Sequence, residues 1–217
     1  MVGDGIKRLL SGAGSRIASP LSKVVPPKSG ELLTGRIGRE LLDLLAVRNG
    51  FYAFESALLV RPLSFSGEPL GVIEWNDPEL WRREYTNDLT GLIFFAEDVF
   101  GAQFCFSDDA VSTFDPETGE HQVIAGSLDA WATWVLEKHR SRTGWPLAQE
   151  WKTRFGILEP GQRLLPKIPF VLGGAFEIKN LYKLHDAESL RMRASIANQL
   201  RDCPDGSKVV LKTDWPT

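Results

Sequence analysis

Apolar residues at 37, 41, 42, 44, 45 and 47 fall at helical spacing and predict a helix over 36–48 with one buried face. Asn49-Gly50 ends it, as residues that tolerate left-handed backbone commonly do. The run 51–63 is aromatic and apolar up to Pro62, and reads as a short helical turn followed by a strand. Asp77 as N-cap and Pro78 at the first helical position predict a short helix over 77–85. Four β-rich runs follow, at 92–98, 101–107, 110–115 and 120–125, separated by tight turns; they predict an antiparallel meander. Ser127 then caps a helix whose Leu128, Trp131, Ala132, Val135 and Leu136 mark a buried face. Residues 143–170, punctuated by Pro146, Pro160, Pro166 and Pro169, read as irregular connection with one short helix around 147–153. Alternation over 176–184 predicts a strand. A helix runs from Asp186 or Ala187 to about Arg201, and the turn Pro204-Asp205-Gly206 leads to a last strand over 207–213.

Strands and helices come in clusters rather than in strict alternation. That predicts an α+β architecture, with a mixed, mostly antiparallel sheet packed by helices. Residues 1–30 are rich in Gly, Ser, Pro and basic side chains, and read as a basic N-terminal arm, poorly packed or a short helix leading into the fold. Residues 31–217 then form a single domain with a C-terminal extension from about 145.

Composition narrows the function classes. The net charge of −3 argues against a nucleic-acid surface and leaves room for a basic protein partner. No apolar run has the length of a secretory signal or a membrane span, so a cytoplasmic protein with no membrane association is expected. The two cysteines lie in no metal or redox motif. Cys105, between Phe104 and Phe106, reads as a small buried hydrophobe.

The search for chemistry returns little. There is no GxSxG, no Walker loop and no GxGxxG after a strand. His121, His139 and His185 each stand apart from other ligand types, so no metal, cofactor or catalytic residue is expected. Glu97-Asp98 and Asp108-Asp109 flank the strand 101–107. A cation site or paired catalytic carboxylates, with His121, is the sharper reading and would make a hydrolase. Turn chemistry is the plainer one, and an acidic rim that steers a basic partner is a third. Of the seven tryptophans, Trp75, Trp81 and Trp145 lie in turn- or Pro-bounded segments, the first places to look for exposed contact residues.

One combination is more specific. Asn49-Gly50 closes a helix; an apolar strand leads into Phe95, Ala96, Asp98, Gly101, Phe104, Cys105 and Phe106; a hairpin carries Val111, Phe114, Asp115, Glu117, Thr118, Gly119 and Glu120; a helix opens over Ser127 to Trp131. Order and spacing resemble the SUKH superfamily of Smi/Knr-type proteins over roughly 100 residues. Residues 169–212 are similar to the tail of longer bacterial members, including immunity proteins of type VI secretion systems. The resemblance implies an α+β fold and binding of a cognate toxin, with no catalytic residues. Such a protein would neutralise the toxin by occluding it. A protein-interaction or regulatory scaffold without a toxin partner is the alternative. Turn location and charge, rather than the resemblance, suggest Trp75, Glu97, Asp98, Asp108, Asp109 and Glu120 as partner contacts.

Overall fold

The computed structural model describes residues 2–21, 32–107, 109–204 and 206–210. Its centre is the predicted meander, extended at its N-terminal side. Seven strands, β1 (Ala13–Arg16), β2 (Phe51–Ala53), β3 (Leu58–Val60), β4 (Ile93–Asp98), β5 (Gln103–Phe106), β6 (Val111–Asp115) and β7 (Glu120–Ala125), lie side by side in chain order. Every pair is antiparallel, so the sheet is not mixed among the described residues. Register follows side-chain alternation: Phe94 faces Cys105, Phe104 faces Thr113 and Phe114 faces His121.

Both faces of the sheet are covered. Phe95, Phe104, Phe106 and Val111 point to a layer of helices α1 (Asp4–Ser11), α2 (Gly35–Val47) and, further along, α4 (Leu128–Glu137). In α2 the apolar stripe Ile37, Leu41, Leu44 and Leu45 is fully buried. Ser127 caps α4 as expected, its Oγ accepting from Ala130 N at 3.1 Å. Phe94, Cys105 and Phe114 face the other way, onto Trp75, Trp81, Tyr85 and the last helix. Burial pushes the Cys105 thiol up to about 12, the behaviour of a packing residue.

Of the two readings of the N-terminal segment, the short helix holds, as α1, and it is packed into the fold rather than loose. Ile6, Leu9 and Leu10 are buried, and β1 pairs with β2. Gly5 lets α1 approach α4 so closely that a Cβ there would meet the Asp129 carbonyl oxygen and the Thr133 hydroxyl. Asp129 Oδ1 accepts from Ile6 N at 3.0 Å, capping α1 from another helix. Residues 1 and 22–30 of the expected arm lie outside the described residues.

Five further expectations change. Residues 51–60 form a hairpin rather than a helical turn and a strand. The 77–85 helix shrinks to a 3-10 turn at Arg82–Glu84, although Asp77 does accept from Glu79 N at 2.9 Å, the bond expected of an N-cap. Helix α5 (His139–Arg142) follows α4; the segment read as connection then contains α6 (Trp145–Phe155), the short helix expected around 147–153, and an unexpected strand, β8 (Gln162–Pro166), paired with β9 (Leu181–His185). The strand expected over 176–184 therefore starts later, after a 3-10 turn at Ile178–Asn180. The expected last strand is absent over residues 207–210; its remainder lies outside the described residues. Helix α7 (Asp186–Leu200) closes the second face of the sheet. The short α3 (Val72–Trp75) completes the helices described here.

Candidate partner-binding surface

The six residues suggested by turn position and charge separate into two groups. Trp75 and Glu97 are fully buried, which corrects their reading as surface contacts. Trp81 is buried as well, and Trp145 half-buried. Trp75 stands at the end of α3, beneath the sheet, where its Nε1 donates to Gln103 Oε1 at 3.0 Å. Gln103 Nε2 in turn donates to Glu97 Oε2 at 2.7 Å. Asp98 is half-buried and turns the β4–β5 loop, its Oδ1 accepting from Phe100 N (2.8 Å) and Ala102 N (2.9 Å). Burial pushes its carboxyl up to about 7, against those two hydrogen bonds. Asp109 and Glu120 are exposed, and Asp108 lies outside the described residues.

Glu97 belongs to a buried charge network. Arg163 Nε lies 2.6 Å from Glu97 Oε1, and Arg61 Nη2 lies 3.1 Å from Glu97 Oε2 and 2.7 Å from Asp186 Oδ2. The Arg61 guanidinium also stacks 3.4 Å above the Trp75 ring. Burial raises the Glu97 carboxyl, but Arg163 and Arg61 outweigh it and hold Glu97 below the usual carboxylate range. Arg61 follows β3, Glu97 is the last residue but one of β4, Arg163 is in β8 and Asp186 opens α7. The network therefore ties the C-terminal elements to the sheet. It has no opening to a substrate, since all four side chains are buried.

The exposed chemistry lies elsewhere, in the loop 167–177 between β8 and the 3-10 turn before β9. Ile168 is 58% exposed and Phe176 63%, with Val171 and Leu172 also open to solvent. Yet the loop backbone is tied down. Asn180 Oδ1 accepts from Ile168 N (2.9 Å), and its Nδ2 donates to Ile168 O and Ala175 O, each at 3.0 Å. Buried Glu117 accepts from Val171 N at 2.8 Å. Phe170 and Phe176 stack at 3.9 Å between ring centroids, and both meet Phe100 edge-on. Gly174 is required, because a Cβ there would run into the Ile168 carbonyl oxygen. Beside the loop runs a groove of about 570 Å³, whose lining includes Thr118, Glu120, Val171, Leu172, Leu200 and Arg201. The sequence places 167–170 in a connection and 176–177 at the start of a strand, and marks no surface here. The signal available was its run of apolar residues broken by prolines and Gly173-Gly174, which fits no helix or strand period.

Charge is unevenly spread around this surface. Between Arg83 and Lys138 the chain has eleven Asp and Glu and no Lys or Arg. That span contains β4 to β7 and the hairpin turn bordering the groove. Among the described residues, no group of three or more His, Cys, Asp or Glu is placed to hold a metal ion. Nor is any helix among them long and apolar enough to cross a membrane.

No protein-family model matches the chain, and no curated protein does. A confident structural match is the crystal structure of Atu4351 from Agrobacterium tumefaciens. It has a TM-score of 0.58 at 12% identity, over 89% of this chain and 88% of that one. The likeness extends over nearly the whole length of both proteins, and at this identity it speaks to the fold alone: the chain shares an α+β architecture with that protein.

Proposed function

We propose that this chain is a SUKH-like immunity protein that binds a bacterial toxin in the cytoplasm and neutralises it by covering its working surface. The observation that carries the reading is the loop 167–177, which presents Ile168, Val171, Leu172 and Phe176 to solvent on a backbone already held in place. Apolar side chains on a fixed backbone lose little conformational entropy on binding. Exposed apolar clusters of this kind mark interaction sites, with aromatic residues as anchors. The acid-rich span beside the loop supports a basic partner, drawn in by charge and then held by apolar contact. Exposed Glu120 and Asp109 are the suggested contacts that remain on the surface.

The test is co-expression with the product of the adjacent gene, scored for host survival and co-purification. Rescue with a stable complex is expected. Ile168→Asp combined with Val171→Asp should abolish both while leaving the thermal midpoint unchanged, since surface substitutions usually shift stability by about 0.5 kcal/mol or less. A complex that survives both substitutions would move the interface away from this loop. No rescue and no complex, with both proteins folded, would overturn the immunity reading.

A further inference from the structure

The two edges of the sheet are treated differently. At one edge β1 is four residues long, and Arg48 Nη1 donates to the carbonyls of Leu10 (2.9 Å), Ala13 (3.0 Å) and Gly14 (3.0 Å), occupying acceptors along it. At the other edge β7 has six residues, bonded on one side to β6. Among the described residues no strand lies along its outer side. Every second residue of such a strand turns its N–H and C=O outward, a template for another strand. Natural edges are blunted by lysine, proline, short length or a covering element. In β7, with sequence EHQVIA, there is no lysine and no proline; Glu120 to Val123 are exposed, and Val123 is 63% open.

The charge around this edge selects what can pair with it. Glu120 stands at its start and Asp115 opposite, at the end of β6; both are exposed. Asn87 presses against Gly119 in the β6–β7 turn, which brings exposed Asp88 to the same end. Asp109 lies exposed towards the far end of β6 and β7. No Lys or Arg occurs from residue 84 to 137; at the far end Arg36 Nη2 donates to Asp109 O (3.2 Å) and Gly126 O (2.6 Å), so the uncompensated acidic end of the edge is the one that carries Glu120, Asp115 and Asp88. We propose that β7 is a pairing edge for an extended, basic segment of a partner protein, added to the sheet as an eighth strand. Main-chain hydrogen bonds supply affinity in this mode, and side chains on the added strand supply selection. A second copy of the chain is disfavoured, because it would set one acidic edge against another. The inference rests on the reading of this chain as a protein-binding module, but not on the partner being a toxin.

The test uses the full chain and two synthetic ten-residue peptides, one alternating Lys and Val and one alternating Glu and Val. Amide exchange of residues 120–125 is followed by NMR. The Lys–Val peptide should slow exchange of alternate β7 amides at least tenfold, and the Glu–Val peptide should not. Glu120→Lys with Asp109→Lys, both exposed, should weaken Lys–Val binding at least tenfold without changing the thermal midpoint. Equal protection by both peptides, or contact away from β7, would overturn the proposal. So would concentration-dependent protection of β7 in the free chain, which would make the edge a homodimer contact. The adjacent-gene experiment reads the immunity role separately, so either idea can fail while the other stands.

Discussion

The sharpest prediction concerns the buried network. Glu97→Gln keeps the size of the side chain and removes its charge, between Arg163 Nε at 2.6 Å and Arg61 Nη2 at 3.1 Å. With an effective dielectric of about 20 and about 4 Å between charge centres, each attraction is worth about 4 kcal/mol. Against their loss stands the desolvation cost of the carboxylate, several kcal/mol, which the neutral amide no longer bears. Two guanidiniums are then left in the interior with Asp186 as the remaining carboxylate of the network. The net loss should be about 3–5 kcal/mol, the range for breaking a buried pair by removing one partner. At about 2–4 °C per kcal/mol for a chain of this size, the thermal midpoint should fall on the order of 10 °C. Denaturant unfolding followed by tryptophan fluorescence measures it well, because Trp75 lies under Arg61. Replacing the set together, with Arg61→Met, Glu97→Leu, Arg163→Met and Asp186→Leu, should cost far less than Glu97→Gln alone, since no buried charge is left unpaired. A Glu97→Gln variant within about 1 kcal/mol of the wild type would refute this reasoning, because it would mean that water reaches the network.

Three other outcomes follow from local geometry. Asp98 has its carboxyl raised to about 7 in the fold, so the folded state holds the proton more tightly than the unfolded chain. Its contribution to stability is complete below the unfolded value of about 4 and is lost as pH rises from there through about 7, so thermal midpoints of wild type and Asp98→Asn should diverge between about pH 4 and 7; parallel curves across that window would contradict this. Asp129→Ala removes the cap on α1 and should cost about 1 kcal/mol, with faster amide exchange confined to residues 4–11. Gly174→Ala should displace the 167–177 loop and break the Val171–Glu117 bond, visible as a shift of the Val171 amide resonance, with partner binding lost along with it.

Much of the frame was legible because its determinants are local. The stripe Ile37, Leu41, Leu44 and Leu45 announces α2, turn residues separate β4 to β7, and Ser127 marks the start of α4. The errors arose where distant residues decide. Strand β8 sits among prolines, and its partner β9 lies beyond an intervening loop, so neither strand shows its pairing in its own neighbourhood. Trp75 lies close to Asp77 and Pro78, which read as a surface turn, yet its ring is covered by Arg61 and its indole N–H is taken by Gln103. Glu97 and Asp98 are adjacent and look alike in sequence. Strand alternation sends Glu97 inward to meet Arg163, 66 positions later, while Asp98 folds back on its own loop.

The same division explains why candidate contacts were misplaced. Acidic residues in a β-rich stretch can serve the surface or the interior, and only the location of their cations distinguishes the two. Between residues 84 and 137 there is no Lys or Arg, so a buried acid there must draw its partner from outside the span. Glu97 draws Arg61 and Arg163, and in doing so fixes β8 against the sheet, while Arg61 reaches on to Asp186 at the start of α7. Those two elements bracket the loop 167–177, and α7 supplies Leu200 to the wall of the groove beside it. The interior acid thus sets the position of an apolar surface, whereas Asp109 and Glu120 remain exposed at the rim, where the proposed basic partner would meet them.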